Sequence, residues 1–137
     1  MNSDILISTD KTKINIEATL AFLQNSYWGK NYTFESLRHV IETSLCFGLY
    51  INEKQIGFTR VITDYERFAY LADVVIEPGY QHKGYGKKLL SYVFNYPEVK
   101  KVSKWMLGTD DASGLYAKFG FVPLEYPQKY MEKRTAN

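Results

Sequence analysis

This sequence has a single cysteine, a small net charge and no long apolar run, and each of these features excludes a class of protein. The single cysteine among 137 residues, Cys46, rules out an intramolecular disulfide and a cysteine-rich zinc site. It stands between Leu45 and Phe47, and in such an apolar run a buried core thiol is favoured over a catalytic nucleophile. The chemistry is therefore expected on other side chains.

No stretch of the sequence approaches the roughly 18 apolar residues that a membrane helix needs, and the first residues carry no basic segment followed by an apolar run. We therefore expect a cytoplasmic protein without a membrane partner. A net charge of +2 is too small to require nucleic acid, although lysines concentrate in the second half of the chain. No nucleic-acid partner is expected, and the lysine bias is compatible with an anionic ligand.

Repeats, low-complexity tracts and linkers are absent as well. The hydrophobic fraction is 45% and the aromatic fraction 16%, values that are typical of a folded globule. A chain of 137 residues has no room for a second domain. We expect residues 1–137 to form one domain.

Hydrophobic periodicity divides the chain into short strands and helices. The predicted strands cover residues 4–8, 45–51, 55–63, 68–76 and 102–109, with a closing strand or pair at 121–126 and 130–131. Two predicted helices begin after the caps Asn15 and Thr33, and two more cover residues 86–96 and 112–119. The order β-α-α-β-β-β-α-β-α-β predicts an α/β fold, a mixed sheet with helices on both faces.

The first two helices are expected to pack through apolar stripes. These stripes are Ile16, Leu20 and Leu23 in the first helix, and Leu37, Val40 and Ile41 in the second.

The stretch from Ile76 to Leu90 joins the end of a strand to the start of a helix. Gly84 and Gly86 remove side chains where a helix N-terminus exposes unpaired N–H groups and its positive dipole end, which suits an anion such as phosphate. A dinucleotide fingerprint would need a small residue where Leu89 stands, and a Walker phosphate loop a hydroxyl residue where Lys88 stands. A turn without a ligand stays the open alternative.

Two motifs make the assignment more specific. The run Gln-His-Lys-Gly-Tyr-Gly at residues 81–86 matches the Q/R-x-x-G-x-G/A acyl-CoA signature of the Gcn5-related N-acetyltransferases, the GNAT family. The run Leu-Tyr-Ala-Lys-Phe-Gly-Phe at residues 115–121 is similar to the second motif of the same family. The motifs, their separation and the strand order agree over essentially the whole chain. It resembles a small, bacterial-type, single-domain member.

The resemblance implies the GNAT acyl-CoA N-acyltransferase fold, with acetyl-CoA as co-substrate and no metal. It implies an N-acetyltransferase that passes an acetyl group directly to a primary amine of a small molecule or peptide in a ternary complex. The alternative is a non-catalytic acyl-CoA-binding sensor or interaction protein on the same fold. Many members pair through their terminal strands, so a homodimer is an open expectation.

The resemblance also assigns a CoA site built largely from backbone. N–H groups from residues 82–87 would cradle the pyrophosphate, and the pantetheine arm would pair with Val74 and Ile76 in a gap between two splayed strands. The N–H of Val74 or Val75 would hold the thioester carbonyl oxygen. The full set is Val74, Val75, Ile76, Gln81, His82, Lys83, Gly84, Tyr85, Gly86, Lys87, Thr109 and Tyr116, with Lys88 assisting.

One position departs from the family pattern. Many members have Asn where this chain has Thr109, and the hydroxyl or the neighbouring Asp110 is the candidate substitute.

Tyr116 matches the position of the family's acid for the departing thiolate, and the alternative is a packed tyrosine with its hydroxyl satisfied locally. Asp73 is the first candidate base, because strand alternation would place it on the face of Leu71 and Val75 and partly desolvate it. A salt bridge from Asp73 to Arg60 is the competing interpretation. Glu77 is the second candidate and would act through water, and some members have no dedicated base.

The acceptor side is expected at the first two helices and their connection. Tyr27, Trp28, Tyr32 and Asp73 are the predicted substrate-binding residues, with Phe34 a further candidate for the wall. Such a pocket would take a small amine with an apolar or aromatic part, or a peptide terminus. Packing between the two helices would explain some of these aromatic residues equally well.

Overall fold

The structure, a computed structural model, describes residues 4–135. Its strands are β1 (Ile5–Ser8), β2 (Leu45–Ile51), β3 (Lys54–Thr63), β4 (Phe68–Ile76) and β5 (Lys104–Met106). Its α-helices are α1 (Ile16–Gln24), α2 (Phe34–Thr43), α3 (Tyr85–Asn95) and α4 (Ser113–Ala117). Short 3₁₀ turns occupy Lys11–Lys13, Pro78–Tyr80 and Pro127–Lys129.

The five strands form one mixed sheet in the order β1-β2-β3-β4-β5. The first four are antiparallel neighbours. The β2–β3 hairpin has a two-residue turn in which Asn52 and Glu53 have φ of 48° and 71°. The pair β4 and β5 is parallel, with α3 as the crossover. The predicted mixed sheet is confirmed.

Helices cover both faces of the sheet, as predicted. On one face α1 and α2 bury Leu23 and Leu37 against Cys46 and Phe58. On the other face α3 and α4 pack on a core that includes Phe47, Leu49, Leu71, Leu89, Leu90, Val93 and Tyr116. Neighbouring residues of β2 thus point to opposite cores, as expected for a strand that is buried on both faces.

Cys46 is the buried thiol that the sequence favours. It is fully inaccessible to solvent, and its burial raises the pKa of the thiol to about 11. The thiol therefore stays protonated near neutral pH and has little nucleophilic character.

Both predicted N-caps are present. The side chain of Asn15 accepts the N–H of Ala18 at 2.9 Å, and Thr33 forms a capping box with Ser36. None of the helices within residues 4–135 combines the length and the apolar character needed to cross a bilayer.

The predicted stripe of α1 is partly wrong. Thr19, Phe22 and Leu23 are the buried residues, whereas Ile16 and Leu20 are only partly covered. The cause is the buried amide of Gln55, which donates to the Thr19 hydroxyl at 2.8 Å and accepts the N–H of Asn15 at 2.7 Å. These bonds turn Thr19 toward the sheet. The stripe of α2 is nearer to the prediction, with Leu37 and Ile41 buried and Val40 partly so.

Two predicted strands differ from the structure. The one expected at residues 102–109 is reduced to Lys104–Met106, because β4 turns away after the pair Tyr70–Met106. The closing strand predicted at residues 121–126 and 130–131 does not form, and a 3₁₀ turn at Pro127–Lys129 lies between these two segments. Pro123 and Pro127 have no N–H for a ladder, and Val122 is 80% exposed, so burial does not favour pairing there.

The amide of Gln55 yields a stability prediction. Gln55→Leu would leave the N–H of Asn15 without its acceptor, and the Thr19 hydroxyl would lose its donor while still donating to the carbonyl oxygen of Asn15. We expect the free energy of unfolding to fall by about 2 kcal/mol, measured by urea denaturation. Arg38→Gln, which breaks only an exposed ion pair with Glu42, is the control and is expected to cost less than about 0.5 kcal/mol. Equal costs for the two variants would contradict this account.

Candidate functional site

A β-bulge in β4 shapes the site. In β3, Arg60 lies opposite Ala72 and Phe58 lies opposite Val75. The two β4 residues Asp73 and Val74 therefore face one residue of β3, Thr59. Asp73 has φ of 55°, in the left-handed region that few residues other than glycine adopt. The extra residue leaves Asp73 and Val74 without partners in the β3 ladder.

The bulge reverses which face each side chain of β4 occupies. Leu71 lies in the core under α3, and Val75 lies in the core under α1 and α2. The expectation that Asp73 shares a face with both residues is therefore wrong, because a bulge breaks the two-residue period. Val74 and Ile76 consequently turn toward the α3 side.

Asp73 is held by a buried network on the α1–α2 side. Its Oδ2 accepts from Nε of Arg60 at 2.6 Å and from the Tyr32 hydroxyl at 2.6 Å. Arg60 also donates to Oγ of Ser44 at 3.1 Å. Only 13% of the Arg60 side chain and 7% of the Asp73 side chain are exposed. The salt bridge that competed with the base assignment is thus present in the structure.

The same network keeps the Tyr32 hydroxyl protonated. Burial in the first place, and then the bond to Asp73, raise the pKa of Tyr32 to about 12. The hydroxyl therefore remains a donor to Oδ2 of Asp73 over the physiological range. No donor within residues 4–135 binds Oδ1 of Asp73.

A cavity of about 660 Å³ opens where β4 and β5 separate. Their pairing ends at Tyr70–Met106, but β4 continues to Ile76. The predicted residues that line the cavity are Tyr27, Trp28, Asp73, Val74, Ile76, Gln81, His82, Gly86, Thr109 and Tyr116. The predicted residues that do not line it are Tyr32, Val75, Glu77, Lys83, Gly84, Tyr85 and Lys87.

One end of the cavity is the start of α3. Gly84, at the N-cap, has φ of 87°, and His82 also has a positive φ of 62°. Within the described part of the chain, no hydrogen bond is formed by the N–H groups of residues 82–87. A Cβ at Gly86 would come no closer to other atoms than 3.9 Å, from Ile76, so the space above this backbone is open. Free amides at a helix N-terminus attract anions.

Tyr116 forms the opposite wall, from α4. It is 8% exposed, and its ring packs edge-on against Phe121. Burial, followed by the negative charge of Asp111, raises the pKa of the Tyr116 phenol. The phenol is therefore protonated at neutral pH, and its hydroxyl forms no hydrogen bond with the residues at 4–135. It is available to donate to a ligand.

The Thr109 side chain forms a hydrogen bond with the nearby backbone. Its Oγ1 accepts the N–H of Ala112 at 3.0 Å, just before α4 begins. The next residue, Asp110, donates its N–H to the Tyr27 hydroxyl at 3.3 Å. The loop before α4 is in this way joined to the loop after α1 across the cavity.

The acceptor candidates divide into two groups. Tyr27 and Trp28 form an edge-to-face pair at 5.1 Å and line the cavity. Tyr32 binds Asp73 from the other side, and Phe34 is exposed and outside the cavity. Glu77 pairs with Lys54 at 3.2 Å, also outside the cavity. Tyr116 and Asp73 thus line one cavity, whereas Glu77 does not.

Sequence reasoning missed several lining residues, namely Tyr70, Leu71, Ala72, Leu107, Gly108, Asp111, Ala112 and Leu115. Asp111 had a signal, since it lies between Thr109 and the second motif. Tyr70 and Leu107 had none, because only the separation of β4 from β5 exposes them.

A second cavity, of about 680 Å³, lies between α3 and the C-terminal segment. It is walled by Phe94, Trp105, Phe121 and Tyr126 and contains none of the predicted site residues. The free amides and the unpaired phenol lie at the first cavity, and we assign the site there.

Comparisons with known proteins find similar sequences and similar structures. The family model described as "Acetyltransferase (GNAT) domain" matches residues 42–123, more than half of the chain. A protein of Gibberella zeae assigned to the acetyltransferases is 31% identical, and the alignment covers 84% of this chain and 77% of that protein.

Solved structures match over nearly the whole chain. One from Xanthomonas campestris pv. campestris, assigned to the GNAT family, is 36% identical with a TM-score of 0.92, covering 96% of this chain and 94% of that one. An aminoglycoside N-acetyltransferase in complex with CoA has a TM-score of 0.70 at 15% identity, covering 98% and 97%, and shows a shared fold only.

The buried pair generates a prediction about stability. Asp73→Asn keeps a residue type that tolerates positive φ, but leaves the Arg60 charge without its counterion. We expect a loss of about 3 kcal/mol in the free energy of unfolding. The double variant Asp73→Asn/Arg60→Gln should recover part of that loss in urea denaturation. Strictly additive effects of the two substitutions would refute coupling between these side chains.

Proposed function

The chain belongs to the GNAT acetyltransferase family, and on that premise we propose that it transfers the acetyl group of acetyl-CoA to a primary amine within a ternary complex. The observation that carries the proposal is that free backbone amides, an unpaired phenol and an aromatic wall line one cavity. The finer assignments below are proposals about that cavity.

The start of α3 is the proposed site for the CoA pyrophosphate. The N–H groups of residues 82–87 have no partners in the described part of the chain and lie at the positive end of the helix dipole. Gly86 lines the cavity and leaves room for phosphate oxygens to approach the backbone. Lys83, Lys87 and Lys88 are exposed nearby and add positive charge.

The gap between β4 and β5 is the proposed path of the pantetheine arm. Among residues 4–135, β4 has no strand partner on its β5 side beyond Tyr70, so the backbone from Val74 to Ile76 can pair with amides of the arm. Because the bulge removes Val74 from the β3 ladder, its N–H is a candidate donor to the thioester carbonyl oxygen. Val75 is the weaker candidate, since it pairs with Phe58 of β3 and does not line the cavity. Thr109 would line the same path.

The proposed reaction needs one nucleophile and one acid. The neutral amine nitrogen attacks the thioester carbon, and negative charge gathers on the carbonyl oxygen. The C–S bond then breaks, and the departing sulfur takes the proton of the Tyr116 phenol. The amine nitrogen loses a proton as the amide forms, and the phenolate of Tyr116 regains one from solvent.

Of the two predicted bases, Asp73 is the one that lines the cavity. Its Oδ2 is engaged by Arg60 and Tyr32, but its Oδ1 is left to accept from the amine. We propose that Asp73 orients the amine and receives its proton, directly or through water. Glu77, which pairs with Lys54 outside the cavity, is the weaker proposal.

Tyr116→Phe tests the acid. We expect kcat for thiol release to fall by about a hundredfold, because the phenol no longer supplies a proton to sulfur. The fold should be retained, since the hydroxyl forms no hydrogen bond with residues 4–135, and circular dichroism and urea denaturation check this. Tyr126→Phe, at an exposed tyrosine outside the cavity, is the matched control and should retain full activity. An unchanged kcat in Tyr116→Phe would remove the residue from the mechanism.

Gly86→Val tests the pyrophosphate cradle. The added side chain would project into open space above the helix start and should weaken CoA binding by about tenfold or more in calorimetry, since each 1.4 kcal/mol of lost contact is tenfold. Gly79→Val is the control, because Gly79 also has open space around it but does not line the cavity. Equal affinity in the two variants would count against the cradle.

A further inference from the structure

The charged side chains of the cavity do not balance. Arg60, Asp73 and Asp111 line it, and the first two neutralise each other in the ion pair at 2.6 Å. Asp111 takes part in none of the ion pairs or hydrogen bonds formed by side chains of residues 4–135. Asp111 therefore places in the cavity wall one carboxylate that has no ion-pair partner within residues 4–135.

An aromatic pair lies close to that carboxylate. Tyr27 and Trp28 line the same cavity, and the Tyr27 hydroxyl accepts the N–H of Asp110, the residue next to Asp111. The cation–π contacts within residues 4–135 involve Tyr80, Tyr126 and Tyr130, and no lysine covers the rings of Tyr27 or Trp28. Open aromatic faces beside a carboxylate attract an organic cation.

The reacting centre is near. Tyr27, Asp111 and Tyr116 line the same cavity. The negative charge of Asp111 adds to burial in raising the pKa of the Tyr116 phenol. A cation held by Asp111 would lie beside the place where acetyl transfer is proposed.

We infer that Asp111, together with Tyr27 and Trp28, selects an acceptor that carries a second, non-reacting cationic group. This inference rests on the proposed function. The attacking amine must be neutral at the moment of attack, so it cannot satisfy a carboxylate throughout the reaction. A second ammonium or guanidinium stays charged and can. The favoured acceptor class is a diamine, or an amine with a guanidinium a short chain away.

Matched pairs of amines test this selection. Butane-diamine is compared with pentylamine, and pentane-diamine with hexylamine, so that a methyl group replaces the second ammonium at nearly constant length. We expect the wild-type chain to prefer each diamine by about tenfold in kcat/KM, measured by CoA thiol release. Asp111→Asn should abolish that preference, by raising KM for the diamine about tenfold more than KM for the monoamine.

Glu98→Gln is the control for net charge, because Glu98 is exposed and does not line the cavity. It should keep the diamine preference. Equal use of monoamine and diamine by the wild-type chain, or an equal loss for both in Asp111→Asn, would overturn the inference and leave acetyl transfer standing. Absence of thiol release with every amine would overturn the inference and the proposed function together.

Discussion

The buried ion pair between Arg60 and Asp73 is the interaction on which the site depends. Asp73 has positive φ, a conformation that costs of order 1–2 kcal/mol for a residue with a side chain. Arg60 and Tyr32 both donate to Oδ2 of Asp73 on the α1–α2 side of the sheet, and these bonds hold the Asp73 side chain in place. Because the bulge reverses the faces of β4, Val74 and Ile76 turn toward the cavity while Val75 fills the other core.

The two ends of the cavity use different chemistry. At the proposed donor end the groups are backbone amides of residues 82–87, placed by the start of α3 and by the positive φ of Gly84. At the proposed acceptor end they are side chains, namely Tyr27, Trp28, Asp73 and Asp111. Backbone donors suit a ligand part that is the same in every reaction of this family, and side chains are free to differ with the acceptor.

This difference also explains what the sequence could and could not predict. The bounds of β4, the caps Asn15 and Thr33 and the two motifs depend on nearby residues, and the structure agrees with them. The bulge at Asp73 depends on Arg60 and Tyr32, which are distant in sequence, and strand alternation gave no sign of it. The prediction of a closing strand is wrong because apolar residues such as Val122 remain exposed and two prolines interrupt the segment. Asp111 lies between Thr109 and the second motif, but that its side chain lines the cavity and has no ion-pair partner within residues 4–135 is visible only in the structure.

The most direct test of acetyl transfer in this cavity is to incubate the chain with acetyl-CoA and a broad panel of amines, and to measure free CoA thiol and acetylated amine together. The account predicts thiol release that requires an amine, with one acetylated amine formed for each thiol and no acetyl group left on the protein. Binding of acetyl-CoA without thiol release for any amine would contradict it and favour an acyl-CoA-binding protein on the same fold.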